Sequence, residues 1–254
     1  MLLGAQLYTV REYTKNLDDF ADTLKRVADI GYTAVQVSGT CAYDATWLKE
    51  QLDKTGLKCA ITHTSPDRIA ARTDAVIAEH KTFGCRYIGI GSMPGGLKGG
   101  MADYDAFVEK FRPVSRHISG QGLYLMYHNH NMEFAKHARG RVYLACLVED
   151  FAPGELGFTV DTYWVQAGGG DPAWWIRQLC GRVPCVHLKD MAYENGNIRM
   201  APVGEGNMNF DGILAACEEA GVEYLLVEQD NCYGENPFDC LKRSYQNLSA
   251  RGLK

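Results

Sequence analysis

The sequence predicts a single (β/α)8 barrel, an α/β fold in which eight parallel strands alternate with helices. Short apolar or β-branched runs alternate with longer segments of helical period along the chain. About eight such pairs fit into 254 residues, leaving about 32 residues for each strand with its crossover helix. No Pro- or Ser-rich linker divides the chain, so one domain over residues 1–254 is expected.

The eight strands are predicted at runs rich in Val, Ile, Leu and Tyr. They span residues 3–8, 34–37, 58–62, 87–91, 123–127, 157–160, 185–188 and 224–227.

Three of the helices have clear boundary signals. Residues 17–30 place apolar side chains on one helical face and stop at Gly31, and residues 211–221 repeat this design. Asp171 and Pro172 open a further helix that Gly181 closes. The glycine-rich segments 95–100 and 168–170 follow strands four and six and are either mobile loops over the active face or plain connectors.

Composition excludes several classes of protein. The chain is 46% hydrophobic and 22% charged, with no apolar run long enough to cross a membrane. Its net charge of -5 and the lack of a basic run argue against a nucleic acid partner. Nine scattered cysteines without a CxxC pair indicate reduced thiols, and the N-terminus does not resemble a secretory signal, so a cytoplasmic location is expected.

Four polar segments follow apolar runs and carry side chains that bind metals. They are His128 to Phe134, Asp161 with Thr162, His187 to Asp190, and Glu228 to Asp230. Because the carboxyl ends of barrel strands meet at one face, these groups are expected to converge there.

Each candidate ligand has a plainer interpretation. Asp161 is alternatively a helix N-cap, but the next predicted helix starts ten residues later, near Asp171. His187 is alternatively a buried neutral imidazole, and Glu228 a surface carboxylate. Their common position at strand ends favours metal binding for all three.

These residues resemble the sugar phosphate isomerase/epimerase family of xylose-isomerase-like TIM barrels. The resemblance covers nearly the whole chain and includes residues 4–11 and Gly204-Glu205-Gly206. It implies a divalent-metal-dependent enzyme acting on sugars or polyols, although the family includes epimerases, isomerases, dehydratases and lyases.

The fourth ligand has two candidates. In the tagatose-epimerase branch of this family a glutamate ends strand five and binds the metal, but strand alignment places His128 there. Family members with a similar His-Asn-His-x-x-Glu-Phe block carry the glutamate found here at Glu133, so Glu133 is assigned to the metal with Asp161, His187 and Glu228. His128 and His130 then face the substrate. If His128 itself ligates, Glu133 instead orients the histidines or contacts the substrate.

This donor set favours one divalent ion, with Mn²⁺ first and Mg²⁺, Co²⁺ or Zn²⁺ as alternatives. The expected reaction is isomerisation or epimerisation of a keto-sugar or polyol by proton abstraction through a metal-bound enediolate. Glu228 and either His128 or His130 are the expected bases. Lys189 is expected to stabilise an oxyanion or to pair with a neighbouring carboxylate.

Further side chains are expected to line the substrate pocket. Aromatic rings at a barrel mouth stack on the apolar faces of sugars, and polar groups from neighbouring strand ends complete the pocket. This predicted set comprises Gln6, Tyr8, His63, Tyr163 and Trp164.

Other functions remain open. A histidine in place of a glutamate base suits a lyase or dehydratase acting on an oxidised sugar, including β-elimination from a 3-oxo-glycoside. A non-catalytic sugar-binding barrel is a further alternative. An endonuclease would need more zinc-binding histidines and a basic surface. Barrels of this kind often associate, so a homo-oligomer is compatible with the sequence.

Overall fold

The computed structural model describes residues 1–253 and contains a closed barrel of eight parallel strands. Each barrel strand pairs with its neighbours in the order β1-β10-β7-β6-β5-β4-β3-β2, and β2 closes the barrel on β1. All eight predicted strands are confirmed; three have the predicted bounds, and the ends of the other five are shifted by at most two residues. The barrel strands are β1 (Leu2–Gln6), β2 (Ala34–Val37), β3 (Lys58–His63), β4 (Tyr87–Ile90), β5 (Tyr124–His128), β6 (Leu156–Asp161), β7 (Cys185–Leu188) and β10 (Tyr224–Val227).

Ten α-helices within residues 1–253 surround the barrel or follow its strands, and none is both long and apolar enough to span a membrane. Short 3-10 helices lie at Leu7–Tyr13, Pro94–Leu97 and Met132–Phe134. The α-helices are α1 (Leu17–Ile30), α2 (Ala45–Thr55), α3 (Pro66–Ala71), α4 (Thr73–Thr82), α5 (Met101–Gly120), α6 (Tyr143–Asp150), α7 (Thr162–Ala167), α8 (Pro172–Gln178), α9 (Phe210–Ala220) and α10 (Pro237–Ser249).

The predicted starts of three of these helices are present within one residue, with their capping groups. The predicted end at Gly181 was wrong, because the helix that Asp171 opens ends at Gln178 with Leu179 as its C-cap. The Asn16 side chain accepts a hydrogen bond from the Asp19 N–H and starts α1, which ends at Gly31 with φ of 121°. The Asp171 side chain caps α8 by accepting from the Trp174 N–H. Gly221 ends α9 in the left-handed conformation.

Apolar side chains form one layer inside the barrel and another between the strands and the helices, and polar side chains lie at the mouth of the barrel. Met126, Cys185 and Leu226 belong to a small cluster inside the barrel, whereas the residues next to them pack outward against the helices. Side chains alternate in direction along a strand, so the side chain two residues after each of these positions also points into the barrel. Those positions are His128, His187 and Glu228, and this alternation places them at the carboxyl end of the barrel.

Two short helices differ from expectation. The first strand ends at Gln6 and not at Tyr8, because the Gln6 side chain accepts from the Tyr8 N–H and starts a 3-10 helix. The helix after β6 begins at Thr162, directly after the strand, and not near Asp171. The expectation of a ten-residue gap was wrong, since α7 and α8 are separate helices.

An antiparallel hairpin that sequence reasoning missed follows β7. Strands β8 (Asp190–Glu194) and β9 (Asn197–Ala201) pair through a two-residue turn at Asn195 and Gly196. Both turn residues have positive φ, at 50° and 82°. Asn-Gly between two strands is a strong hairpin signal, and it was present in the sequence.

Asp190 fastens this hairpin to the loop that precedes α9. Its carboxylate is buried and accepts hydrogen bonds from the backbone N–H groups of Met191, Gly204, Gly206 and Met208. A Cβ on Gly206 would lie 2.4 Å from Asp190 Oδ1, so this contact requires glycine there. Asp190 therefore has a structural role at the mouth of the barrel.

We expect Asp190→Ala to lower the free energy of unfolding by at least about 2 kcal/mol, because several buried N–H groups lose their acceptor. Asp190→Asn keeps one acceptor oxygen and is expected to lose less. Urea denaturation followed by circular dichroism measures both variants. An unchanged midpoint for Asp190→Ala would contradict this role.

Candidate metal centre and active site

Four buried side chains at the carboxyl ends of neighbouring strands form a compact donor cluster. His128 ends β5, Asp161 ends β6, His187 lies in β7 and Glu228 follows β10. Each offers one nitrogen or oxygen atom, and these atoms all lie within 4.8 Å of one another. The predicted convergence of strand ends is present.

His128 presents a lone pair to this cluster. Its Nδ1 lies 2.9 Å from the backbone oxygen of Gly91, which can only accept, so the ring proton is on Nδ1. Nε2 is then unprotonated and lies 3.3 Å from Asp161 Oδ2. Burial and the neighbouring His187 lower the pKa of His128, which keeps the ring neutral. A lone pair facing a carboxylate is repulsive unless a cation lies between them.

His187 is oriented in a similar way, but here Nε2 lies next to the orienting group and Nδ1 faces the cluster. Its Nε2 lies 2.7 Å from Gln36 Oε1, and its Nδ1 lies 2.9 Å from Glu228 Oε2. Neither Nδ1 nor Oε2 makes a properly aligned hydrogen bond. Burial opposes a charge on His187, but Glu228 and Asp161 raise its pKa above the usual value. His187 Nδ1 thus lies beside a carboxylate oxygen at a position where both atoms could bind one metal ion.

The Asp161 carboxylate serves two purposes at once. Oδ1 accepts from the Trp164 N–H and caps α7, whereas Oδ2 faces His128 and His187. The backbone N–H of Asp161 donates to Asn129 Oδ1, which fixes the strand end. The capping and ligand interpretations of Asp161 are therefore compatible.

Lys189 lies among three carboxylates. Its Nζ is 2.9 Å from Asp161 Oδ2, 2.9 Å from Glu228 Oε2 and 3.0 Å from Asp230 Oδ2. Burial opposes its charge, but the carboxylates outweigh this effect and raise the pKa of Lys189. Burial and the nearby Glu228 raise the pKa of Asp230 to about 7. One ammonium thus faces three acidic side chains.

The donor set fits a divalent cation. Asp161, Glu228 and Asp230 supply more negative charge than Lys189 neutralises, and buried charges require compensation. His128 Nε2 and His187 Nδ1 both lie beside the same carboxylate oxygen, Asp161 Oδ2. Nitrogen and oxygen donors of this kind suit Mn²⁺, Co²⁺ or Zn²⁺.

Glu133, assigned to the metal from the sequence, lies outside the cluster. It is fully buried, and Oε1 accepts from the Tyr127 hydroxyl at 2.5 Å while Oε2 accepts from the His130 N–H at 2.8 Å. Both oxygens are therefore occupied, and His128 takes the place in the cluster that was expected for Glu133. Glu133 instead holds the backbone that carries His130, which is the role foreseen for it if His128 ligates.

A cavity of about 310 Å³ opens beside the cluster. We call it the inner chamber. Four of the five predicted pocket residues line it together with the charged groups of the site. The lining residues that were not predicted are Arg11, Ser38, Gly91, Ser92 and Asp230. The lining residues that had been predicted are Gln6, Tyr8, His63, His128, His130, Trp164, Lys189 and Glu228.

Tyr163 is absent from the lining of the inner chamber, so its expected contact with a substrate stays a prediction. Its ring packs edge to face on Trp164, which lines the cavity, with centroids 4.9 Å apart. Gln6 lines the chamber and also donates to Glu228 Oε1 at 2.8 Å. This bond leaves Oε2 of Glu228 for the cluster.

His130 is a second neutral imidazole in the chamber wall. Burial and the neighbouring His128 lower its pKa to about 3, and its Nδ1 has no hydrogen-bond partner. The ring lies 5.5 Å from that of Trp164 and 4.8 Å from that of His128. It is therefore available to a molecule in the chamber.

Sequence comparison assigns the family. The family model of the xylose isomerase-like TIM barrel matches residues 24–239. The chain belongs to this family. Among curated proteins, none matches the chain.

Solved structures share the fold of this xylose isomerase-like barrel. A sugar phosphate isomerase/epimerase from Parabacteroides distasonis ATCC 8503 superposes with a TM-score of 0.81 at 22% identity, covering 98% of this chain and 93% of its own. An L-ribulose 3-epimerase gives 0.72 at 15% identity, with 98% and 93% covered. A probable 3-DHS dehydratase from Bacillus anthracis gives 0.74 at 15% identity, with 98% and 99% covered. At these identities the likeness shows the fold alone.

We expect Glu133 to make stability depend on pH. Burial raises its pKa to about 7, so folding binds a proton between the ordinary glutamate pKa and pH 7. The contribution of protonated Glu133 to the free energy of unfolding is present at low pH and is lost as pH rises through 7. The loss is about 3 kcal/mol relative to Glu133→Gln. Urea denaturation of both proteins at pH 4 and pH 8 measures the difference. Parallel pH profiles for the two proteins would contradict the raised pKa.

Proposed function

We propose that the protein is a divalent-metal-dependent isomerase or epimerase of a keto-sugar or polyol. The observation that carries this proposal is the pair of imidazole nitrogens, His128 Nε2 and His187 Nδ1, which face buried carboxylates beside a chamber of sugar size. His128, Asp161, His187 and Glu228 would hold the ion. When bound, the ion supplies a positive charge that polarises a carbonyl and acidifies the neighbouring C–H.

The remaining groups are suited to moving a proton. Glu228 is oriented by Gln6 and borders the chamber, so its carboxylate is a base on one side of the substrate. His130 is neutral and lines the chamber, so its imidazole can take a proton from the substrate and return it. Lys189 places an ammonium at the chamber wall, where it stabilises a developing oxyanion.

Mn²⁺ is our first candidate for the ion. Two carboxylates and two imidazoles form a mixed oxygen and nitrogen set without thiolates, and Co²⁺, Zn²⁺ or Mg²⁺ are alternatives. With two nitrogens in the set, Mg²⁺ is the least suitable of these ions.

β-Elimination from an oxidised sugar is the second candidate reaction. It begins with the same proton abstraction, and the observation that favours it is that a neutral imidazole, His130, and a carboxylate, Glu228, both line the chamber. Imidazole can pass a proton to a leaving oxygen as readily as it can return it to carbon. Products of unchanged mass indicate isomerisation, and smaller products indicate elimination.

We expect one divalent ion per chain, held by His128 and not by Glu133. After loading with Mn²⁺ and dialysis, plasma mass spectrometry should find the ion in wild type and Glu133→Gln. His128→Ala, Glu228→Ala and Asp161→Asn should lose it because each removes a donor, and Asp161→Asn keeps an oxygen for the α7 cap. Circular dichroism checks the fold. An ion retained by His128→Ala and lost from Glu133→Gln would contradict this ligand set.

We expect Lys189→Met to bind Mn²⁺ at least about tenfold more tightly than wild type, because the ammonium competes for the same two carboxylate oxygens. The metal-free variant should also unfold at a lower temperature, since its carboxylates lose their counterion. Calorimetric titration and thermal denaturation measure the two effects. Weaker Mn²⁺ binding would instead mean that Lys189 orders the ligands.

Solvent exchange tests the reaction. Incubation in D2O with Mn²⁺ and a panel of ketoses and 3-oxo-sugars should place deuterium on the carbon next to a carbonyl, and a chelator should stop this. His130→Gln should keep the ion but slow exchange by about 10²-fold or more, the contribution of a positioned base. With the ion bound, an absence of exchange in every panel member would contradict the proposed reaction.

A further inference from the structure

We infer that the substrate has two polyhydroxylated units, one in the inner chamber and one in an adjoining recess that we call the outer chamber. This inference rests on the proposed function, because the reacting unit is placed beside the donor cluster. The outer chamber lies between the loops that follow β2 and β3 and has a volume of about 440 Å³.

The two chambers share a wall. Ser38 and His63 line both of them, and Ser38 Oγ lies 3.3 Å from His63 Nδ1. The inner volume is at the low end of the range of about 300–1,000 Å³ that holds larger ligands, so it suits a single sugar ring. A second ring bonded to the first would extend past Ser38 and His63 into the outer chamber.

His63 is placed to contact the linkage between the units. Its Nε2 is buried without a hydrogen-bond partner, and its ring lies 5.2 Å from that of His128. Two glycines at the end of β4 make room for the ring: a Cβ would lie 3.0 Å from His63 Cδ2 at Gly89 and 2.9 Å from Nδ1 at Gly91. A buried polar atom that is left unsatisfied is costly, and a substrate oxygen or hydroxyl would satisfy this one.

The outer chamber is lined for neutral hydroxyl groups. Four of its side chains carry hydroxyls that both donate and accept, and Tyr43 adds an aromatic ring. Its single cation, Arg68, pairs with Glu79 at 2.5 Å, so no unpaired cation lines it to favour a phosphate. The aliphatic hydroxyls belong to Ser38, Thr40, Thr64 and Ser65.

A third recess, beside the loop that follows β10, is separated from the inner chamber. It shares Arg11 and Asp230 with that chamber, but Arg11 Nη1 donates to the backbone oxygens of Tyr8 and Asp230. The guanidinium also stacks over the Tyr8 ring at 4.3 Å. These contacts close that route, which leaves the outer chamber as the extension of the site.

Ser65→Trp fills the outer chamber selectively. Ser65 precedes α3 and is exposed. Its side chain makes no capping hydrogen bond, so replacing it removes no cap from α3. Ala71→Trp is the matched control, because Ala71 is exposed at the end of the same helix and does not line the chamber.

The experiment is calorimetric titration of Mn²⁺-loaded protein with cellobiose, maltose, trehalose and sucrose and with their monosaccharide units. We expect at least one disaccharide to bind about tenfold or more tightly than its own units. Ser65→Trp should abolish that advantage without changing monosaccharide affinity, and Ala71→Trp should behave as wild type.

Two results would overturn the inference. In one, no disaccharide binds more tightly than its units, and in the other, Ser65→Trp weakens monosaccharides and disaccharides equally. Binding is measured without turnover, so these results are distinct from a failure of the proposed reaction. That failure would show as absent solvent exchange while the disaccharide preference persists.

Discussion

The active face depends on the compensation of buried negative charge at the ends of β6 and β10. Asp161 and Glu228 are almost completely buried, and Lys189 is the only ammonium among residues 1–253 that lies within 3 Å of both. The neutral imidazole of His128 and Nδ1 of His187 face these carboxylates. Such a cluster is stable only when a cation balances it, so metal affinity and local stability are linked.

The surrounding strands fix this cluster through hydrogen bonds from residues outside it. Gln36 orients His187, the Gly91 carbonyl orients His128, and Gln6 holds one oxygen of Glu228. Such outer contacts select the tautomer and direct each lone pair. The contacts come from β1, β2 and β4, so the whole circumference of the barrel contributes to one site.

Much of the fold followed from the sequence, because strand and helix periods are local signals. The barrel and the positions of Asp161, His187 and Glu228 depend only on where apolar runs end. The structure places Glu133 outside the cluster because Tyr127 and His130 occupy its carboxylate, which a motif cannot show. Strand alignment had already placed His128 at the end of strand five, and His128 lies in the cluster.

Residues missed by the sequence reach the site through loops. Arg11 arrives on a 3-10 helix that starts at a Gln6 hydrogen bond, and Asp230 is drawn in by Lys189. These positions depend on tertiary contacts, which leave no periodic pattern in the sequence. The hairpin at Asn195 and Gly196 is different, since its turn signal was readable.

The most direct test of the central claim is anomalous diffraction from crystals soaked in MnCl2. The account predicts one strong peak in contact with His128 Nε2, His187 Nδ1 and the carboxylates of Asp161 and Glu228. A peak bound to Glu133, or no peak within this cluster, would contradict it.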